Sequence, residues 1–205
     1  MLLLINSGVS NLGAWISILN KLNQKFVLSE SRDWNIQDIS KVIFPGIGHF
    51  DEVVQNISKN NLNKKIIQLI KNKIPYLGIC VGMQVLFKKS EESSSDNQEG
   101  LGLIDGQVLQ ISDKKIILPH NGWNDIEILT KSPLFKKINS GTDFYFNHSY
   151  YCKCENKLDI TSVLKDHSKI ICSVEKDFIF GVQFHPEKSM GPGLQIIKNF
   201  IDIKC

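Results

Sequence analysis

The chain has 205 residues, 42% of them hydrophobic and 22% charged, enough for one packed domain that needs no covalent staples. A net charge of +3 with dispersed lysines argues against a nucleic-acid partner. Five cysteines form no framework spacing, and the apolar start Met1–Ile5 is too short for a signal or membrane helix. No membrane association and a reducing, cytoplasmic compartment are expected.

In chain order, Leu2–Asn6 reads as a strand. Asn11–Leu22 follows as a helix, with Leu12, Trp15, Ile16, Leu19 and Leu22 on one face. Phe26–Ser29 and Lys41–Phe44 are the next strands, the latter stopped by Pro45-Gly46-Ile47-Gly48. A helix over Asn61–Asn72 leads to a strand at Pro75–Ile79. This alternation predicts an α/β fold, a single three-layer domain over residues 1–205. Its mixed, mostly parallel sheet is flanked by helices, with ligands gathering at the carboxyl ends of the strands. Residues 91–99 read as a solvated polar loop. Further on, Gln107–Ile111, Ile126–Leu129, Asp143–Asn147, Ile160–Leu164, Ile170–Val174 and Ile179–Phe184 look like antiparallel strands extending the core. A helix at Leu194–Ile203 closes the chain.

Chemistry concentrates at Cys80. The apolar run Pro75–Ile79 enters Gly78-Ile79-Cys80-Val81-Gly82, and a helix-like segment follows. This is the layout of a nucleophile elbow, in which the flanking glycines make room for a strained turn. A following helix N-terminus would favour a thiolate and offer free N–H groups to an oxyanion. Phe184-His185-Pro186-Glu187 supplies an imidazole and, two residues on, a carboxylate to orient it. A lone cysteine after an apolar run is usually core, but the glycines and the His-x-Glu string reverse that weighting. Cys152 and Cys154 share a strand face and read as buried packing, because no second ligand pair stands at zinc spacing. His120 and His167 read as structural or surface groups, and His148 equally as a packed strand histidine or a site wall. Gly8 and Gly13 have P-loop spacing, but Ala14-Trp15 stands where Lys-Ser/Thr is needed, so no nucleotide site is expected there.

Taken together, Pro45–Gly48, Gly78–Gln84 and Gln183–Ser189 resemble the class-I glutamine amidotransferases, Cys-His-Glu glutaminases of flavodoxin-like fold. The strings Pro119-His120-Asn121-Gly122-Trp123-Asn124 and Asn147-His148-Ser149-Tyr150-Tyr151 narrow the resemblance to the glutaminase subunits of imidazole glycerol phosphate synthases. The likeness runs from the first strand to the last helix. Departures are Asn6-Ser7-Gly8 where the family usually has Asp-Tyr-Gly, His49 where a small residue is frequent, and Asn121 where Met is usual. None touches the triad.

The resemblance implies that Cys80 attacks the side-chain amide of L-glutamine, that His185 shuttles the proton and that Glu187 orients the imidazole. The oxyanion hole would come from Val81 and from the Ile47–Gly48 turn, whose glycines permit two peptide orientations. Gln84 and the backbone of His148, Ser149 and Tyr150 would hold the amino-acid end of glutamine. No metal or organic cofactor is implied. A separate (β/α)8-barrel cyclase would receive the ammonia as heterodimer partner, making imidazole glycerol phosphate and an aminoimidazole carboxamide ribotide in histidine biosynthesis. Trp123, Asn124 and Lys188 are expected at that contact, with Trp123 in a Pro-rich turn. Two other readings stay open: a paralogous glutaminase feeding sugar amidation in surface-polysaccharide synthesis, and a non-catalytic scaffold on the same fold. A Cys peptidase on a similar elbow finds no support in Gln84 or the Gly-Trp-Asn string.

Overall fold

Short, largely apolar strands form the parallel half of the molecule. The computed structural model describes residues 1–31, 34–59, 61–94 and 98–204. Strand β1 (Leu2–Leu4) precedes α1 (Leu12–Lys21) and β2 (Phe26–Leu28). Then come β3 (Lys41–Gly46), α2 (Phe50–Lys59), α3 (Leu62–Lys71) and β4 (Tyr76–Cys80). The first four strands are mutually parallel in the order β2-β1-β3-β4. Strand order reverses between β1 and β3. Right-handed crossovers therefore place α1 on one face of the sheet and α2 and α3 on the other, giving three layers. Trp15 and Leu19 of α1 are buried, as are Ile66 and Leu69 of α3.

Helix α2 is additional to the elements expected from periodicity. It buries Phe50, Val53, Val54 and Ile57, at helical spacing. The polar segment after residue 90 serves its N-terminus. Glu92 Oε2 accepts the Phe50 N–H at 2.8 Å, and the Ser94 backbone and hydroxyl both donate to Asp51 Oδ2. That segment is therefore partly a helix cap. Residues 95–97 of the expected loop lie outside the described residues.

Beyond β4, the four-residue helix α4 (Val81–Gln84) leads to β5 (Lys89–Ser90) and β6 (Gly106–Gln110). The remaining strands are β7 (His120–Ile128), β8 (Thr142–His148), β9 (Tyr150–Cys154), β10 (Ile160–Leu164), β11 (His167–Lys176) and β12 (Ile179–Val182), followed by α5 (Met190–Asp202). β12 inserts parallel to β4, and β11, β10, β7 and β8 continue antiparallel, completing a nine-stranded mixed sheet. β5, β6 and β9 form a second, three-stranded sheet. Trp123 lies inside β7, not in a turn: the cis Leu118–Pro119 bond ends just before that strand begins. Helix α5 begins four residues before the expected Leu194, because Pro192 falls in its first turn, where a missing N–H is harmless. Cys152 and Cys154 are buried in the core, as expected, and Cys172 joins them. Among the described residues no helix is long and apolar enough to cross a membrane.

Candidate active site

Register decides what meets Cys80. In the β3–β4 ladder Gly46 is the direct partner of Cys80, and in the β12–β4 ladder Val182 is the partner of Ile79. The turn after β3 and the segment after β12 therefore converge on the carboxyl end of β4. Cys80 itself has φ 52° and ψ −110°, a left-handed position that a non-glycine residue adopts only under constraint. The constraint is local crowding. A Cβ at Gly78 would lie 2.2 Å from the Gly82 carbonyl oxygen, and one at Gly82 would lie 1.9 Å from that of Phe44. Both glycines are thus required by close backbone approach, as the elbow pattern predicts. Helix α4 spans only four residues, so the case for a helix dipole at Cys80 weakens to the unpaired N–H groups of its first residues. The Val81 N–H is one of them.

The chain past β12 carries the other two triad residues. The Tyr145 carbonyl accepts the His185 N–H at 2.8 Å, and the Ser189 hydroxyl donates to the His185 carbonyl at 2.6 Å. His185 Nδ1 lies 2.9 Å from Glu187 Oε1, and both side chains are only 1% exposed. Its Nε2 is buried without a settled hydrogen bond. Burial disfavours charge on this imidazole. The sulfur of Cys80 and then the Glu187 carboxylate outweigh that, raising its pKa to about 10. The structure thus brings Cys80, His185 and Glu187 together.

The oxyanion candidates are arranged differently. Gly48 has φ 133°, a conformation that needs glycine. The Ile47 N–H is donated to the Val9 carbonyl at 2.7 Å and is not free. Of the expected donors, the Ile47 N–H is engaged elsewhere.

Gln84 is 2% exposed, and its Nε2 donates to the Tyr150 carbonyl (3.1 Å) and to Gln183 Oε1 (3.2 Å). Gln183, for which the sequence suggested no role, donates from Nε2 to Cys80 Sγ at 3.4 Å. His148 Nδ1 also reaches the Tyr150 carbonyl, at 2.8 Å, and the Ser149 carbonyl accepts the Ile111 N–H. These carbonyls thus already carry internal bonds. Burial, assisted by His120 and His185, lowers the pKa of His148 to about 3 despite its bond to Tyr150. His120 is buried and bonded to His148 and Asn124, while His167 pairs at the surface with Asp113.

Two of the three expected partner residues, Trp123 and Lys188, gather around Tyr145, another residue without a role in the sequence. Trp123 is 44% exposed and packs edge-on against its ring, and Lys188 Nζ sits 5.2 Å above it. Tyr145 in turn lies beside the His185 ring, with centroids 6.4 Å apart. Asn124, half-buried, faces inward to His120.

Comparison with known proteins agrees with this geometry. Residues 3–203 match the family model for glutamine amidotransferase class-I. The chain is 36% identical over 208 residues to the imidazole glycerol phosphate synthase subunit HisH of Leptospira borgpetersenii, covering 99% of this chain and 100% of that protein. HisH 2 of Pseudomonas aeruginosa, also named as a subunit of that synthase, is 36% identical with the same coverage. Among solved structures, a glutamine amidotransferase aligns with a TM-score of 0.75 at 13% identity, covering 98% of this chain and 97% of the other. PurLQS from Thermotoga maritima aligns with a TM-score of 0.71 at 18% identity, with equal coverage. At those identities the structures speak for the fold alone.

Proposed function

The chain belongs to the class-I glutamine amidotransferase family, and from that premise we propose that it is the glutaminase subunit of an imidazole glycerol phosphate synthase. The observation that carries the proposal is the Cys80–His185–Glu187 convergence, in a chain alignable end to end with curated subunits of that synthase. The curated names favour this over sugar amidation, and the buried, oriented triad favours it over a scaffold.

In the proposed reaction the Cys80 thiolate attacks the side-chain amide carbon of L-glutamine, and the tetrahedral intermediate places negative charge on the amide oxygen. The Val81 N–H meets that oxygen first. His185, held by Glu187, gives its proton to the departing ammonia, leaving a glutamyl thioester. It then takes a proton from water, which attacks the thioester and frees glutamate and Cys80. Gln84 and the His148–Tyr150 segment hold the amino-acid end of the substrate. Turning the Ile47 peptide would free its N–H from Val9 and complete the oxyanion hole. The ammonia passes to a separate (β/α)8-barrel cyclase, which docks over Trp123, Asn124 and Lys188. That partner closes the imidazole ring and releases the carboxamide ribotide of histidine biosynthesis. The free thiols at Cys80, Cys152, Cys154 and Cys172 fit a reducing cytoplasm.

The test is glutamate formation from glutamine, with and without a barrel cyclase and its nucleotide substrate. Ring closure driven by glutamine supports the proposal. Glutamate release without any ring closure, but with sugar amidation, would move the chain to the paralogous role.

A further inference from the structure

Hydrogen bonds run unbroken from the outer face of β7 to the nucleophile. Asn124 meets His120 Nε2 at 2.7 Å, His120 Nδ1 meets His148 Nε2 at 2.9 Å, and His148 Nδ1 meets the Tyr150 carbonyl at 2.8 Å. The same carbonyl accepts from Gln84. Gln84 also donates to Gln183, and Gln183 donates to Cys80 Sγ. His120, His148, Gln84 and Gln183 are all buried, so water does not complete any of these bonds cheaply.

The chemistry of the ends fixes the direction of the chain. A carbonyl oxygen only accepts, so His148 carries its proton on Nδ1. Neutral His148 then offers a lone pair at Nε2, and His120 must donate from Nδ1. The lone pair of His120 Nε2 is left facing Asn124. A neutral His120 is therefore satisfied only when Asn124 presents its amide nitrogen, a half-turn of the amide from the assignment with Oδ1 toward the ring. With Oδ1 inward, His120 would need both protons. That puts a cation in a buried pair whose titratable neighbours, His167 beside His120 and His185 beside His148, themselves become cations on protonation.

We propose that Asn124, His120 and His148 are positioning residues, a one-way hydrogen-bond chain that sets the Tyr150 carbonyl, Gln84 and Gln183 against the Cys80 sulfur and so couples the β7 surface to the nucleophile. The inference rests on Cys80 being the glutaminase nucleophile. It gives His120 a part in the site, and it gives Asn124 an inward task in addition to any partner contact. A ligand or partner that captures the Asn124 amide from outside would remove the donor that starts the chain.

The experiment uses the full chain, labelled with ¹⁵N-histidine, at neutral pH. The wild-type protein is expected to show two neutral rings protonated at Nδ1. Asn124→Asp replaces the starting donor with an acceptor of equal size, and the chain then needs one additional proton. That variant is expected to show one imidazolium among the pair and a change of about tenfold in the rate at which iodoacetamide alkylates Cys80. A purely structural Asn124 would move the melting temperature and leave both readouts alone. Should Asn124→Asp fail to fold, His120→Gln carries the same alkylation test, and the wild-type spectrum still decides direction. An Nε2-protonated ring at either histidine in the wild-type protein overturns the chain. Unchanged Cys80 alkylation in a variant that does fold overturns the coupling. Failure of the underlying assignment reads out separately: Cys80→Ala would still hydrolyse glutamine, whatever the ring spectra show.

Discussion

At the scale of single residues, the proposed mechanism gives Cys80, His185 and Glu187 distinct tasks, so their variants should differ. Cys80→Ala removes the bond-forming sulfur and is expected to lower glutamine turnover by several orders of magnitude, ~10⁴-fold or more. Glu187→Gln keeps a hydrogen-bonding group near His185 Nδ1 and should cost less than Cys80→Ala does. Turnover at saturating glutamine separates the two, and equal losses would give Glu187 more than an orienting task. The histidines give a pH signature of stability. His148 has its pKa held near 3 by burial, below the ordinary 6.5. The unfolded chain therefore takes up a proton that the folded one refuses as pH falls below about 6.5. This group's stability is present above that pH and is lost toward acid, at up to about 1.4 kcal/mol per pH unit. His185 acts in the opposite sense. Its raised pKa, about 10, stabilises the fold below pH ~6.5, and that contribution is lost as pH rises toward 10. Urea titrations between pH 5 and 6.5 should show the acid slope in the parent protein and a shallower one in His148→Gln; equal slopes would remove His148 as its source.

At the scale of elements, the elbow between β4 and α4 can be tested through glycines that face opposite environments. A Cβ at Gly82 would lie 1.9 Å from the Phe44 carbonyl oxygen, in the middle of the β3–β4 contact. Gly82→Ala should therefore destabilise the protein by roughly 3 kcal/mol or more, or prevent folding. Gly13 lies in α1 with nothing within 4 Å of a built Cβ. Gly13→Ala should stabilise by ~0.5–1 kcal/mol through the unfolded chain. Thermal melts of the two variants should move in opposite directions. The same elbow shows what the sequence could disclose. Glycines at Gly78 and Gly82 around Cys80 after an apolar run leave few conformations, so the nucleophile and its strained turn were legible. His185 and Glu187 were legible because they stand two residues apart in the chain, and the single 3-10 turn Pro186–Lys188 that His185 caps folds the carboxylate back onto the imidazole. Gln183, Tyr145 and His120 were not, because their roles come from the β12–β4, β7–β8 and β6–β9 pairings, which join residues far apart in the chain. Trp123 was misplaced in a turn because Pro119 and Gly122 mask a strand whose pairing with β8 overrides local propensity.

At the scale of the whole molecule, the proposed mechanism needs an oxyanion donor that the structure shows engaged elsewhere. The Ile47 N–H is bonded to the Val9 carbonyl at 2.7 Å, and Gly46, on the carbonyl side of that peptide, supplies the backbone freedom its rotation needs. On the proposed mechanism that state lacks the Ile47 donor, and losing one donor of an oxyanion hole costs ~10²–10³-fold in rate. A barrel partner carrying its own ligand would raise the rate by binding the turned peptide better than the resting one, and only by that difference in affinity. An activation of about a hundredfold requires a differential of about 2.7 kcal/mol, a few good contacts. Trp123, exposed at 44% and packed edge-on against the Tyr145 ring that lies beside His185, is the side chain best placed to transmit such contacts. Trp123→Ala is therefore expected to lower the ratio of partner-activated to basal glutaminase rate by about tenfold or more. The check is glutamate release by the free chain, by the complex, and by the complex with the cyclase's ligand, for parent and variant. A free chain that already hydrolyses glutamine as fast as the liganded complex would remove the Ile47 turn as a gate. The triad assignment, which rests on Cys80, His185 and Glu187 alone, would stand.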